Sequence, residues 1–318
     1  MNRVKGADIP LDARILVCGH TGLVGSAIWK ALSDAGFQNL FGMSSREVDL
    51  TSRSETINAV REVSPHAVFL AAARVGGIFA NSNNPVDFLQ DNLRIQSNVL
   101  EAAHQSGAER LLFLGSSCVY PKFSQQPIKE EYLLNGDLEE TNEAYAISKI
   151  AGILLVKSYR KQYGKKWISA MPTNLYGSED NFDTNTGHVL PSLISKFHHA
   201  QKSQLDSVLL WGDGSPLREF LHVKDLAAAC LLVIKDYDSD QPINIGSGQE
   251  VSILRLAEMV KSVSNFQGEI IWDSSKPNGT PRKLLDSSKI LKLGWMPKVS
   301  LEDGIKSVYE AYEFSFPS

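Results

Sequence analysis

Arg14-Ile15-Leu16-Val17-Cys18-Gly19-His20-Thr21-Gly22-Leu23-Val24-Gly25 decides how the rest of the chain is read. A short run of β-branched and apolar residues leads into glycines spaced G-x-x-G-x-x-G. Ser26-Ala27-Ile28-Trp29-Lys30-Ala31-Leu32 follows with helical spacing. The pattern is strand, tight turn, helix. The first glycine lets the chain turn, the second brings bare backbone against a pyrophosphate, and the third lets the helix pack close to the sheet. Free N–H groups at the helix N-terminus then favour phosphate. Gly19, His20, Thr21, Gly22, Leu23, Val24 and Gly25 are therefore expected to hold a dinucleotide at the start of an α/β, Rossmann-type doubly wound parallel sheet. A tight turn that merely needs glycines is the plainer alternative.

Next along the chain, Gly36 closes that helix and Asn39–Met43 reads as a second strand. NAD-selective sites put a carboxylate at this strand's end for the ribose 2′-OH. Here the end is Met43-Ser44-Ser45-Arg46. Arg46 would welcome a 2′-phosphate, which predicts NADP (NADPH); a solvated loop charge is the alternative. Asp49 is a candidate for the adenine amino group, or a cap for a helix starting near Thr51. His66–Leu70 reads as a third strand, and Leu70, Ala71 and Ala72 at its end would let a cofactor lie close to the backbone. Helical patterning runs from Pro85 to Ser106, with Asn92 and Asn98 among apolar positions, and Arg110–Leu114 is a fourth strand.

That fourth strand delivers Gly115-Ser116-Ser117-Cys118 beyond its carboxyl end, where open α/β sheets place their chemistry. Ser116 suits a carbonyl oxygen and Cys118 a carbon-bound proton. Tyr145 and Lys149 stand four apart on a helical run from Asn142 to Tyr163, so they share a face. A buried ammonium beside a phenol favours the phenolate, which suits proton exchange with a carbonyl or alcohol oxygen. An ordinary amphipathic helix and a packing thiol are the plainer readings. Cys18 and Cys230 sit in apolar runs and read as small buried hydrophobes.

The chain has 318 residues, a hydrophobic fraction of 43% and a formal net charge of −4. That is enough for one large or two unequal lobes. A mildly acidic balance without basic blocks argues against a nucleic-acid surface. Three scattered cysteines make neither a disulfide framework nor a C-x-x-C metal site. His198-His199 lacks partner ligands, so no metal is expected. Residues 1–12 read as a polar leader rather than a signal peptide. No apolar run approaches the roughly 20 residues a membrane span needs. The expected location is the cytoplasm.

The order Gly19-x-x-Gly22-x-x-Gly25, Ser116, Tyr145-x-x-x-Lys149 resembles the extended short-chain dehydrogenase/reductase superfamily. Leu114–Cys118, Met171–Gly177, Arg218–Val223 and Lys276-Pro277-Asn278-Gly279-Thr280-Pro281-Arg282-Lys283 narrow the likeness to its GDP-L-fucose synthase branch. The resemblance runs from Arg14 onward. It implies NADPH as cofactor and GDP-4-keto-6-deoxy-D-mannose as substrate, with 3,5-epimerisation followed by C4 reduction. It implies Ser116, Cys118, Tyr145, Lys149 and His188 as catalytic groups, His188 being the second epimerisation acid/base. Gly115, Pro172, Thr173, Asn174, Leu175 and His188 would meet the cofactor. Ser117, Asn174, Lys196, Trp211, Arg218 and Asn278 would meet the substrate.

The chain departs from the branch at Lys196 and Thr21, where arginine is common, and at Asn278, where aspartate is. A homodimer pairing the runs 85–106 and 142–163 is also implied. Residues 13–175 would form the NADP-binding domain, with a segment at about 220–246 returning to it. Residues 176–318 would form mainly a substrate lobe. The rivals are an NAD-dependent nucleotide-sugar 4-epimerase or 4,6-dehydratase, and a non-catalytic nucleotide-sensing protein of the same fold.

Overall fold

A computed structural model describes residues 9–184, 186–276 and 278–315. Most of the polar leader and Pro277 lie outside the described residues. The first half alternates strand and helix: β1 (Arg14–Cys18), α1 (Leu23–Asp34), β2 (Asn39–Met43), α2 (Arg53–Val63), β3 (Ala67–Leu70), α3 (Ile78–Asn83), α4 (Pro85–Gln105), β4 (Arg110–Leu114), α5 (Glu143–Tyr163) and β5 (Lys166–Pro172). β6 (Asn174–Tyr176), α6 (Val189–Lys202), β7 (Ser207–Trp211), β8 (Leu217–His222), α7 (Val223–Asp236) and β9 (Ile243–Ile245) follow. The chain closes with β10 (Glu250–Ser252), α8 (Ile253–Val263), β11 (Glu269–Asp273), β12 (Arg282–Lys283), α9 (Ser288–Lys292) and α10 (Leu301–Ser315).

The main sheet runs β2-β1-β3-β4-β5-β9, all parallel. Its strands are apolar on both faces because helices cover both. Along β1, Leu16 and Cys18 pack with α2, α4 and α5, while Ile15 and Val17 pack with α1 and α7. That alternation is the strand period of two. Strand order reverses between β1 and β3, so the crevice beyond their carboxyl ends is the expected ligand position. The glycine-rich turn occupies it. Gly19 takes φ +83°, and a Cβ there would come within 2.9 Å of Ala72.

Buried polar side chains lock this half. Asn98 donates to the Leu50 carbonyl at 2.9 Å, and Asn92 donates to Arg74 O and Phe88 O and accepts from Arg74 N–H. Gln96 donates to Ser148 O at 2.6 Å, clipping α4 to α5. These amides explain the polar positions within an otherwise apolar helical face: each satisfies backbone that burial would leave unpaired.

The second half builds a smaller layer over the crevice. β8 pairs in parallel with β6 and β12 and antiparallel with β10, and β7 pairs in parallel with β11. Its core includes Leu193, Ile194, Phe197, Leu210, Leu256 and Ile305. Glu219 on β8 is wholly buried and accepts N–H from Gly248 and Leu285 at 2.7 and 3.1 Å. Burial holds its carboxyl above the usual range, and these N–H bonds oppose that. Glu219 thus ties three crossing segments together in the layer that faces the cofactor end of the main sheet.

Several expected elements are longer here. α6 runs from Val189 to Lys202, two residues longer at each end than the run Pro191–Ala200 that helical spacing predicts. α1 begins at Leu23, immediately after its glycine cap Gly22. β6, β8, β10 and β12 escape sequence patterning because they are short and polar-interrupted. Pairing with neighbours, rather than propensity, makes them strands.

Candidate active site

One continuous cavity of about 1180 Å³ runs from the glycine turn, past the ends of β3, β4 and β5, into the smaller layer. Its first part is mostly backbone. Gly25 sits so close to Gly19 that any Cβ would overlap the Gly19 carbonyl. Gly22 caps α1 with extended backbone and no side chain, and the first turn of α1 carries no acid. Bare N–H groups and an unopposed helix dipole therefore face the cavity at that point, which suits a diphosphate. Thr21, Leu23 and Val24 line the same wall, with Ala71 and Ala72 opposite. The residues present thus fit a dinucleotide.

Three residues expected to touch the cofactor stand off this wall. His20 packs beneath Gly42 with its ring 5.3 Å from Trp29. Leu70 is 1% exposed and belongs to the core behind β3. Arg46 is exposed and absent from the lining, while Ser44 and Ser45 line it. Glu47, unremarked in the sequence, accepts from Ser44 N–H and Oγ at 2.8 and 2.7 Å, and those bonds hold its carboxyl below the usual range. Asp49 lines the cavity and accepts from Thr51 N–H and Oγ1, so it also closes the turn into α2.

At the end of β4 the chain enters a single turn of 3₁₀ helix, Ser117–Val119. Ser116 Oγ caps it by accepting the Cys118 N–H at 3.2 Å. This turn places Ser116, Ser117 and Cys118 on the cavity lining. α5 supplies Tyr145 and Lys149 from one face, and Gly152 lets that helix approach Phe113 on β4.

The phenol is not an activated phenolate in this arrangement. Burial pushes Tyr145 well above its ordinary value, the nearby Cys118 charge pushes the same way, and a hydrogen bond with Ser116 only partly offsets both. Lys149 donates to the Leu114 carbonyl at 2.9 Å, and its Nζ lies 5.9 Å from the Tyr145 ring centroid. Burial lowers the ammonium to about 8. The expected lowering of the phenol by Lys149 fails here because the ammonium's bond goes to backbone and desolvation dominates.

Around Cys118, Asn142 Nδ2 lies 3.6 Å and Lys283 Nζ 3.8 Å from the sulfur. Arg218 is held below its usual range by burial, and the Cys118 charge opposes that. Lys283 ends the stretch 276–283, whose spacing carries no sign that this residue faces the thiol. Only the pairing of β12 with β8 brings it there. Cys18 and Cys230 are wholly buried, and burial raises the Cys18 thiol to about 12 and the Cys230 thiol further.

His188 is the residue before α6. Its ring is open to the cavity, yet the surrounding walls strip enough water to hold the imidazolium below its usual range. Pro172, Thr173, Asn174 and Leu175 line the floor between β5 and β6, and Thr173 and Asn174 donate to the Glu219 carbonyl at 3.2 and 2.8 Å. Lys196, Trp211, Arg218 and Asn278 line the far end. Asn278 Oδ1 also accepts the Asp213 N–H at 3.0 Å, so part of its capacity closes that loop. Asp180 and Glu139, neither singled out by spacing, also line the cavity. Among the described residues no cluster of His, Cys, Asp or Glu could hold a metal. None of their helices is long and apolar enough to cross a membrane.

A parallel sheet with a glycine-rich first turn, and a Ser/Tyr/Lys set facing one cavity, defines a nucleotide-binding α/β fold of the Rossmann type. The profile of the NAD dependent epimerase/dehydratase family matches residues 15–246, and the chain belongs to that family. It is 54% identical over 301 residues to the putative GDP-L-fucose synthase 2 of Arabidopsis thaliana, covering 95% of this chain and 92% of that one. It is 45% identical over 306 residues to the GDP-L-fucose synthase of Escherichia coli strain K12, covering 93% and 95%. A crystal structure of a GDP-L-fucose synthetase from Naegleria fowleri bound to NADP superposes with a TM-score of 0.90 at 29% identity, covering 98% of each chain.

Proposed function

We propose that the protein is an NADPH-dependent epimerase-reductase that converts GDP-4-keto-6-deoxy-D-mannose to GDP-L-fucose. The carrying observation is the shared cavity: Ser116, Cys118, Tyr145, Lys149 and His188 all line the space that begins at the glycine turn. Near-full-length likeness to GDP-L-fucose synthases supports the sugar and the nucleotide. The NADP-bound relative supports the cofactor.

The substrate's ketone acidifies the C–H bonds on either side of it, at C3 and C5. Cys118 as thiolate takes a proton from one face, and His188 in its protonated form, an acid that releases its proton readily because burial lowers it, returns one from the other, inverting the centre. Ser116 and Tyr145 donate to the oxygen as it gains negative charge, the role of an oxyanion hole. A phenol held in its neutral form suits that donation, and the same proton later completes the alcohol at C4. NADPH, when bound, supplies the hydride to C4. Lys149 places a positive charge on this wall and holds the end of β4 through the Leu114 carbonyl. Gly19, Gly22, Gly25 and the α1 N-terminus would hold the diphosphate, and Ser44 and Ser45 the ribose end. Lys196 and Arg218 would meet the diphosphate of the substrate, with Trp211 stacking on its base.

A cytoplasmic homodimer completes the proposal. α4 and α5 pack side by side, and Ile147, Leu154 and Tyr163 of α5 are exposed. A second copy of that pair would cover them. Light scattering at the mass of a single chain would reject the dimer. For the activity, the test is turnover of GDP-4-keto-6-deoxy-D-mannose with NADPH, with the product's configuration assigned by NMR. Consumption of NADPH with C3 and C5 both inverted is expected. Reduction without inversion would leave a 4-reductase and remove Cys118 and His188 from the proposed chemistry.

A further inference from the structure

β12 is two residues long, and its side chains face opposite ways. Arg282 is satisfied on the outside by Glu250, Nε to carboxylate at 2.8 Å. Lys283 is on the cavity side, in register with Arg218 of β8. Two cations directly opposite on paired strands repel unless negative charge lies between them. The partner the structure gives Lys283 Nζ is the Cys118 sulfur at 3.8 Å. Asn142 adds a neutral donor at 3.6 Å. The remaining groups around the sulfur are Ser116, whose Oγ is used as a cap, and Tyr145, a neutral phenol. Glu139 lies farther out, where it is bound to Lys122 at 3.1 Å and acts on Arg218. His188, also facing the cavity, is held toward its uncharged form.

We propose that Lys283 is a positioning residue that holds Cys118 as the thiolate and thereby arms it to take a carbon-bound proton. The inference rests on the reading of Cys118 as the carbon base, and it assigns the source of that base's charge. A thiolate is the reactive form, and an ammonium at this distance favours it. Arg218, opposite in register, spends its Nη1 on the Leu217 carbonyl at 2.9 Å, while Lys283 Nζ has the sulfur as its hydrogen-bond partner. The arrangement links the smaller layer to the chemistry, because pairing of β12 with β8 is what carries Lys283 to the sulfur.

Cys118 is the half-exposed cysteine of the chain, whereas Cys18 and Cys230 are buried, so alkylation reads this thiol selectively. The test is the pH dependence of iodoacetamide alkylation at Cys118 in the full-length protein, followed by peptide mass spectrometry. In Lys283→Gln the midpoint should move up by about one unit, which at a pH below both midpoints is about a tenfold slower reaction. Lys283→Arg should restore most of it. An unchanged midpoint in Lys283→Gln, with NADPH binding retained as evidence of folding, overturns the proposal. If Lys283→Gln loses NADPH binding through misfolding, Lys283→Arg against Arg218→Lys decides. An equal shift in both would overturn the assignment to Lys283. This readout needs no substrate. A thiol that alkylates as proposed in a protein that leaves C3 and C5 protons unexchanged would therefore keep this inference and sink the assigned reaction instead.

Discussion

The two ends of the cavity are made in opposite ways. At the cofactor end, one uninterrupted stretch, Gly19–Gly25, presents backbone, and its key residues matter for lacking side chains. At the substrate end, charged and aromatic side chains arrive from α6, β7, β8, β12 and two loops that are far apart in sequence. The first end is insensitive to side-chain chemistry and intolerant of volume. The second tolerates volume and depends on charge. Between them lies the turn after β4, where Ser116 and Cys118 stand two residues apart on the cavity wall.

Tyr145→Phe tests that seam most severely. Removing the proton donor should slow reduction by about a thousandfold, the scale of a lost general acid. Deuterium exchange at C3 and C5, followed by NMR, should fall far less, because Ser116 still supports the developing charge. Equal loss of both would mean that Tyr145 serves the whole reaction and that the ends are not separable.

Cys118→Ser should give the complementary result. Exchange should drop by about a hundredfold or more, while NADPH affinity, read by its fluorescence, stays at the wild-type value. Full exchange in this variant would reduce the thiol to packing. Gly25→Ala acts from the other side. Its Cβ would overlap the Gly19 carbonyl, and overpacking of this kind costs about 1–3 kcal/mol. NADPH binding should therefore weaken about ten- to a hundredfold, whereas exchange on the ketone, which requires no hydride, should persist.

The contrast between the ends also explains what could be read from the sequence. The glycine turn, its strand and helix, and the Tyr145/Lys149 pair are local: spacing alone puts them on one turn or one helix face. β1, β2 and β4 have the expected bounds for the same reason. Lys283, Asp180 and Glu139 carry no such signal. Their places follow from which strand pairs with which, a fact of tertiary structure that no short window contains. The phenol shows a subtler failure. A Tyr–Lys pair at four-residue spacing suggests an ion pair, but the Leu114 carbonyl takes the ammonium and burial decides the sign of the shift. Arg46, a charge in the expected place along the chain, is exposed next to Ser44 and Ser45 of the lining.

A smaller effect should appear at high pH. Lys149 loses its charge near pH 8, against an ordinary value of 10.5. If that charge assists reduction, the rate should fall as pH rises through about 8, and cofactor saturation should not restore it. Folding stability should move the other way. Between about 8 and 10.5 the unfolded chain binds the proton that the native state has released, so stability rises with pH across that window. Opposite trends in rate and stability identify Lys149. A parallel decline in both would point to general alkaline unfolding.

Asp180 offers the smallest and most local test. It lines the cavity with Oδ1 accepting the Asn181 N–H at 2.8 Å and Oδ2 buried without a hydrogen-bond partner in the structure. Burial pushes its carboxyl up to about 6. The folded value lies above the unfolded 3.8, so the native state holds the proton longer. Stability is then undiminished below about 3.8 and declines as pH rises through 6, which makes the ionised group a cost at neutral pH. Asp180→Asn keeps the acceptor for Asn181 and removes the charge. Thermal denaturation at pH 7 should show a gain on the order of 1 kcal/mol, vanishing near pH 4. If the variant is stabilised but its KM for the sugar nucleotide rises, the carboxylate is a binding group that the fold holds at a cost, which is the charge dependence assigned to the substrate end. A variant with neither change would show that the substrate end is no more dependent on this charge than the cofactor end is.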